Sequence, residues 1–305
     1  MFLAAIAAEP LQPVTDDGFI GAASGGVTAF SWRASPLPSP SGGEKFAASA
    51  FIHPLRTPSG FGLTTIQPSD HLHHFGLWWP WKFIEVNGAK HNTWEIQEGL
   101  GGHVAKSAKP VSSENGTLTW ELKNQTIIKS PGKEPVAAID ESSVISFRRV
   151  GGDSHVLDIE IRQQASGAPV KIVNYRYSGF SWRGTSAWNK DNSVMITSGG
   201  KGRDDANGTT ARWVLVSGDS PKGKATMLMM SAAVEIAGNE EKVRVWDSKA
   251  MNGAPFVNFN PVMDKPLALE AGNKAVSHRK YRIIAADRAI NVAGAEAEWR
   301  KWMGK

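Results

Sequence analysis

The chain has no cysteine, only three tyrosines and no long apolar run. Without cysteine there are no disulfides, no thiolate nucleophile and no cysteine-ligated zinc. No stretch approaches the ~18 apolar residues of a membrane-spanning helix, so a membrane is not an expected partner. GxSxG, P-loop, GxGxxG and HExxH motifs are missing as well, which removes the sequence basis for serine hydrolase, nucleotide and dehydrogenase chemistry. The 34 Lys and Arg against 29 Asp and Glu leave a net charge of +5. These charges are scattered rather than clustered, so nucleic acid is not an expected partner either. A solvated, mildly basic surface with some preference for acidic saccharides is the plainer reading. The oligomeric state has no sequence signal.

What the chain does have is glycine, proline and tryptophan: 31, 17 and 12 in 305 residues. Residues 117–123 (TLTWELK), 143–149 (SVISFRR), 156–163 (VLDIEIRQ), 171–177 (KIVNYRY) and 280–285 (KYRIIA) alternate with period two, which predicts strands. Asn-Gly pairs at Asn87, Asn115, Asn207 and Asn252 predict tight turns, because both residues tolerate positive φ. From Val292, apolar residues recur at helical spacing through Trp299 and Trp302, with Asn291 as N-cap, and the tryptophans are expected to seal one end of a sheet. The expected fold is all-β: a large antiparallel β-sandwich with a short C-terminal helix, one domain over residues 11–305. Residues 1–10 read as the remnant of a signal peptide, with an Ala-x-Ala pattern at Ala5 and Ala7, so the expected location is secreted or periplasmic.

The chemistry-bearing residues concentrate between Ile52 and Trp81. Four of the eight histidines lie there, at His53, His71, His73 and His74, with Asp70 beside them. Imidazole titrates near neutrality and serves both proton transfer and metal binding. On an extended segment His71 and His73 share a face, which would offer two rings to one divalent metal, with Asp70 as orienter or ligand. Arg56, between two prolines, offers a planar fork for a carboxylate of a substrate or of Asp70 itself. Trp78, Trp79 and Trp81 follow; exposed indole stacks on sugar, buried indole fills a core. Glu95 and Glu98 are candidate acids before the glycine-rich 99–102 segment and His103, and Arg183 stands on a later strand and its turn.

HPLRTPSG at 53–60, DHLHHFGLWW at 70–79, YSGFSWRG at 177–184, ARWV at 211–214 and YRIIAAD at 281–287 occur in an order that resembles the bacterial family labelled "methane oxygenase PmoA-like", a domain of unknown function. A true methane monooxygenase membrane subunit needs transmembrane helices, so the label is not read literally. The resemblance implies a galactose-mutarotase-like supersandwich and a role in sugar degradation. It carries over His53, Arg56, Asp70, His71, His73, His74 and Trp78 as site residues. Where relatives show His-Pro-x-Asn, this chain has VEIAGN from Val234.

The leading expectation is a carbohydrate-active enzyme of glycoside hydrolase type using histidine and carboxylate acid–base chemistry on a glycoside. Its catalytic set is His53, Asp70, His71, His73 and Glu98. Its substrate-binding set is Arg56, His74, Trp78, Trp79, His103 and Arg183. No cofactor is required. The alternatives are a polysaccharide lyase or sugar epimerase, a metal-dependent enzyme with His71 and His73 as ligands, and a non-catalytic sugar-binding protein.

Overall fold

A computed structural model describes residues 9–16, 18–232, 238–272 and 277–305. Among these residues two eight-stranded sheets face each other, every pairing antiparallel. One sheet runs from Gln12–Asp16 through Val27–Arg33, Ile52–Leu55, Leu77–Trp78, Phe180–Arg183 and Phe256–Asn260 to Lys242–Val245. The other begins with four long strands, Gly101–Glu114, Thr117–Ile128, Val136–Val150 and Ser154–Ala165, and continues through Ser277–Ala286 to Ser193–Thr197. The all-β sandwich with a C-terminal helix is therefore as expected.

Alternation explains the long strands. In Thr117–Ile128 the inward positions Leu118, Trp120 and Leu122 are buried, while Glu121 and Lys123 face solvent. Phe30 of the opposite sheet lies 5.7 Å from Trp120 and 5.1 Å from Phe147, and Phe180 stacks on Tyr281 at 4.2 Å. Burial of such side chains, at about 1.5–3 kcal/mol each, holds the two sheets together. Asn87-Gly88 and Asn115-Gly116 both take positive φ at each residue, which matches the twist of a two-residue hairpin.

Two expectations need correction. The strand predicted over 171–177 is only Val170–Ile172; its partner Phe83–Val86 has four residues, the ladder ends, and Tyr175 and Tyr177 leave it. The C-terminal helix, Val292–Met303, begins as predicted, with the Asn291 side chain accepting from Gly294 N–H at 2.8 Å. However, Ala295 and Trp299 cover the outer face of the long-stranded sheet, on Trp213, Leu228 and Ile284, rather than sealing its end. Most of the residues read as a signal remnant, and the 233–237 part of the VEIAGN stretch at Val234, lie outside the described residues.

Candidate functional site

The outer face of the short-stranded sheet carries a second apolar cluster of Phe51, Phe75, Trp78, Trp94, Trp246 and Phe256. The histidine segment folds onto it. It is not extended: His71 N–H donates to Pro68 O at 2.9 Å and His74 N–H to His71 O at 3.0 Å, giving two successive turns. The faces therefore differ from a strand's. His71 stacks on His74 with ring centroids 4.6 Å apart, and His73 stands edge-on to both at 5.5 and 4.9 Å. Gly76 closes the turn at φ +56°; a Cβ there would sit 2.3 Å from the Ile52 carbonyl, so only glycine lets the turn lie this close to the sheet. Its carbonyl accepts from Arg183 N–H at 2.7 Å.

His74 is enclosed by His71, Trp78, Trp246 and Phe256, and burial drives its pKa well below the ordinary value, with His73 and His71 adding to the effect. It shores up the aromatic cluster and offers no face to a ligand. His71 buries Nδ1 beside Asp70, 3.4 Å from Oδ1, and keeps a quarter of its side chain open. Burial lowers its pKa, Asp70 raises it in part, and Arg183 lowers it again. Burial, then His71 and Lys82, hold His73 at about 4, so it is a neutral acceptor at pH 7. Arg183 binds Asp70 at 2.6 Å and lies 4.5 Å over the Trp246 ring. Arg183, not Arg56, is the partner of Asp70.

A second imidazole reaches the same place from the other sheet. His103 Nε2 lies 3.2 Å from the carboxylate of Glu141, which is buried between the sheets. Trp79 Nε1, Asn124, Ser143 and Gln163 all donate to that carboxylate, at 2.8, 2.7, 2.8 and 2.6 Å. Burial alone would raise this carboxyl, but the His103 ring and the donated hydrogen bonds outweigh it and hold it at about 2. The ring nitrogen that faces the carboxylate, Nε2, is the one that donates to it, which leaves Nδ1 free of Glu141. His73 and His103 line one cavity with Trp78 and Trp94; at about 20 Å³ it has room for one water. Through Ser49, Ile96 and His103 the lining is shared with an open cleft of about 220 Å³, room for about seven waters and thus for one sugar ring. Lys82, paired with Glu95, is near enough to lower the pKa of His73; burial, Arg176 and Lys90 bring Lys82 itself to about 8, against the raising effect of Glu98.

The structure thus gathers Asp70, His71, His73, Trp78, His103 and Arg183 into one region, with Glu98 exposed on the short helix Ile96–Glu98 at its rim. Three expected residues fall elsewhere. Trp79 is wholly buried among core residues with its N–H on Glu141, so it has no face for a sugar. His53, at about 4 through burial and then Arg56, is held by Thr64 at 2.8 Å, and Arg56 binds the Gly60 carbonyl at 3.0 Å; neither lines the His73 cavity. Trp94, Trp246, Tyr177, Lys82 and above all Glu141 were not expected. Glu141 had a signal: it occupies an inward position in the alternation of Ile139, Ser143, Ile145 and Phe147, and a carboxylate in an apolar phase must have partners. For the expected metal pair His71 and His73, no group of three or more His, Asp or Glu converges as ligands among the described residues.

A family model matches residues 22–300, described as a family of unknown function (DUF6807). The chain belongs to that family. The resemblance to the PmoA-like family is thereby overturned, and the site rests on geometry alone. No curated protein matches this DUF6807 chain. Among solved structures it is similar to heparan sulfate lyase HepC from Pedobacter heparinus, at 10% identity and a TM-score of 0.40, covering 92% of this chain and 37% of that one. It is also similar to the GalM/aldose epimerase homologue from C. elegans, at 6% identity and a TM-score of 0.41, covering 92% of this chain and 100% of that one. The chain spans only about a third of the lyase's length. Likeness of this extent carries nothing about ligand or chemistry.

Proposed function

We propose that this chain is a carbohydrate-active enzyme that moves protons on a sugar ring, in the manner of an epimerase or a lyase. One observation carries the reading: His73, from the turn over the short-stranded sheet, and His103, from the long-stranded sheet, line a single cavity walled by Trp78 and Trp94, and His103 also lines the ring-sized cleft beside it. Epimerisation and elimination each need one group to withdraw a proton and another to return one, and two imidazoles on one cavity supply both. His103 takes the proton at Nδ1, and Glu141, behind Nε2, stabilises the imidazolium that forms. His73 is the second proton carrier. Trp78 and Trp94 make the apolar wall against which the two rings stand.

The carboxylates favour this reading over two-carboxylate hydrolysis. Asp70 is tied to Arg183, Glu95 to Lys82, and Glu141 is held at about 2. None of these pairings makes the protonated carboxylic acid that a glycosidase uses as its donor. The test is a panel of neutral and acidic saccharides incubated with the protein in D2O and followed by proton NMR. The expected outcome is deuterium at a ring carbon, faster anomer exchange or a new alkene signal, lost in His73→Asn and His103→Asn. New reducing ends without these signals would point to hydrolysis, and no change with any saccharide would overturn the reading.

A further inference from the structure

A separate pocket carries positive charge with little to balance it. It has about 80 Å³ and is lined by Arg56, Ser59, Gly60, Arg149 and His155 together with small polar and apolar neighbours, and it shares no lining residue with the His73 cavity or the cleft beside it. Arg56 and Arg149 have no carboxylate partner among the described residues. Arg56 Nη1 donates to the Gly60 carbonyl at 3.0 Å; Arg149 donates to His155 Nε2 at 3.4 Å and to the Glu9 carbonyl at 3.1 Å. All of these acceptors are neutral. His155 is no competitor for an anion, because its Nδ1 is fixed on the Arg56 carbonyl at 2.8 Å. Burial, and then Arg149 against the raising effect of the Arg56 carbonyl, keeps that ring uncharged at neutral pH, at about 4. Asp287, beside the pocket, spends both oxygens on Ser59, accepting from its N–H and its hydroxyl at 2.6 and 2.5 Å. That clamp fixes the loop on which Arg56 and Gly60 stand.

We infer that this pocket binds a small oxyanion, a sulfate or phosphate group, between the two guanidinium groups. Two planar forks without carboxylate partners match a tetrahedral oxyanion by charge and by hydrogen-bond geometry. The volume, about two or three waters, admits the anionic group and excludes a sugar ring. Such a group is either free in solution or an ester on a larger ligand that extends outward from the pocket.

Calorimetric titration with inorganic sulfate, inorganic phosphate and, at matched ionic strength, chloride tests the inference on the whole chain. One saturable site for sulfate or phosphate is expected, absent with chloride, and weakened about tenfold or more in Arg149→Gln. Arg149→Lys, which keeps the charge but not the fork, is expected to fall between. His73→Asn leaves the site intact, so it stands or falls separately from the proposed sugar chemistry. Absence of sulfate and phosphate binding in the parent chain would overturn the inference, as would binding undiminished in Arg149→Gln and Arg56→Gln. A sulfated or phosphorylated sugar binding more tightly than the free ion would identify the ester as the source.

Discussion

In the sheet of long strands, buried and solvent-facing residues alternate, as at Leu118, Trp120 and Leu122 against Glu121 and Lys123. In the opposite sheet, Leu77–Trp78, Phe180–Arg183 and Phe256–Asn260 are buried throughout. The reason is what lies on either side. Val257 and Phe259 face the core between the sheets, while Phe256 faces the aromatic cluster that supports the histidine turn. The long-stranded sheet builds the platform and contributes Glu141 and His103 from its inner face. The short-stranded sheet, covered on both faces, holds the remaining functional groups at angles that regular strands do not give. Stability rests chiefly on the first region, and the proposed chemistry is divided between His103 of the first and His73 over the second, with Glu141 serving both.

Trp120→Ala is expected to have the largest effect on stability. It removes an indole wholly enclosed between the sheets and costs about 3–5 kcal/mol in urea denaturation, with turnover per folded molecule unchanged. A loss of turnover in the molecules that remain folded would break the division. Glu141→Gln comes next, at about 2–4 kcal/mol, because an amide turns one acceptor into a donor, which meets the N–H groups of Trp79 and Asn124 at Oε1 or that of Gln163 at Oε2. Unlike Trp120→Ala it also slows turnover, through His103. A stable, fully active Glu141→Gln would remove Glu141 from the site.

The long strands and the terminal helix were legible because alternation and helical spacing survive wherever one face meets solvent. Residues 117–123 and 280–285 fell inside real strands, and Asn291 capped the helix. That Asp70, His71 and His73 lie together was legible too, from their closeness in sequence. The pairing of residues was not. Arg183 reaches Asp70 across 113 positions, and Arg56, much nearer in sequence, turns to its own loop. The face shared by His71 and His74 depends on two turns that alternation does not encode, and Trp79 could not be told from Trp78 because both indoles are apolar.

pH provides a smaller effect. His53, His73 and His155 sit at about 4 in the folded chain against the ordinary 6.5. Between these values the unfolded chain binds more protons. The contribution of these three rings is therefore complete above about pH 6.5 and falls as pH drops towards 4, by on the order of 1–2 kcal/mol for each ring. Denaturation midpoints at pH 7, 5.5 and 4.5 read this slope, and His73→Asn is expected to flatten it in part. The smallest effect is Asn291→Ala, about 1 kcal/mol from the lost cap, on the face farthest in character from the site. Thermal unfolding shows that loss, and turnover stays unchanged.

The most direct test of the account is deuterium exchange into a sugar substrate by the parent chain, His73→Asn and His103→Asn, all verified as folded. The account predicts proton exchange in the parent chain and its loss by about a hundredfold or more in each variant. Equal exchange in all three proteins would contradict it, because proton transfer would then not pass through the cavity that these two imidazoles share.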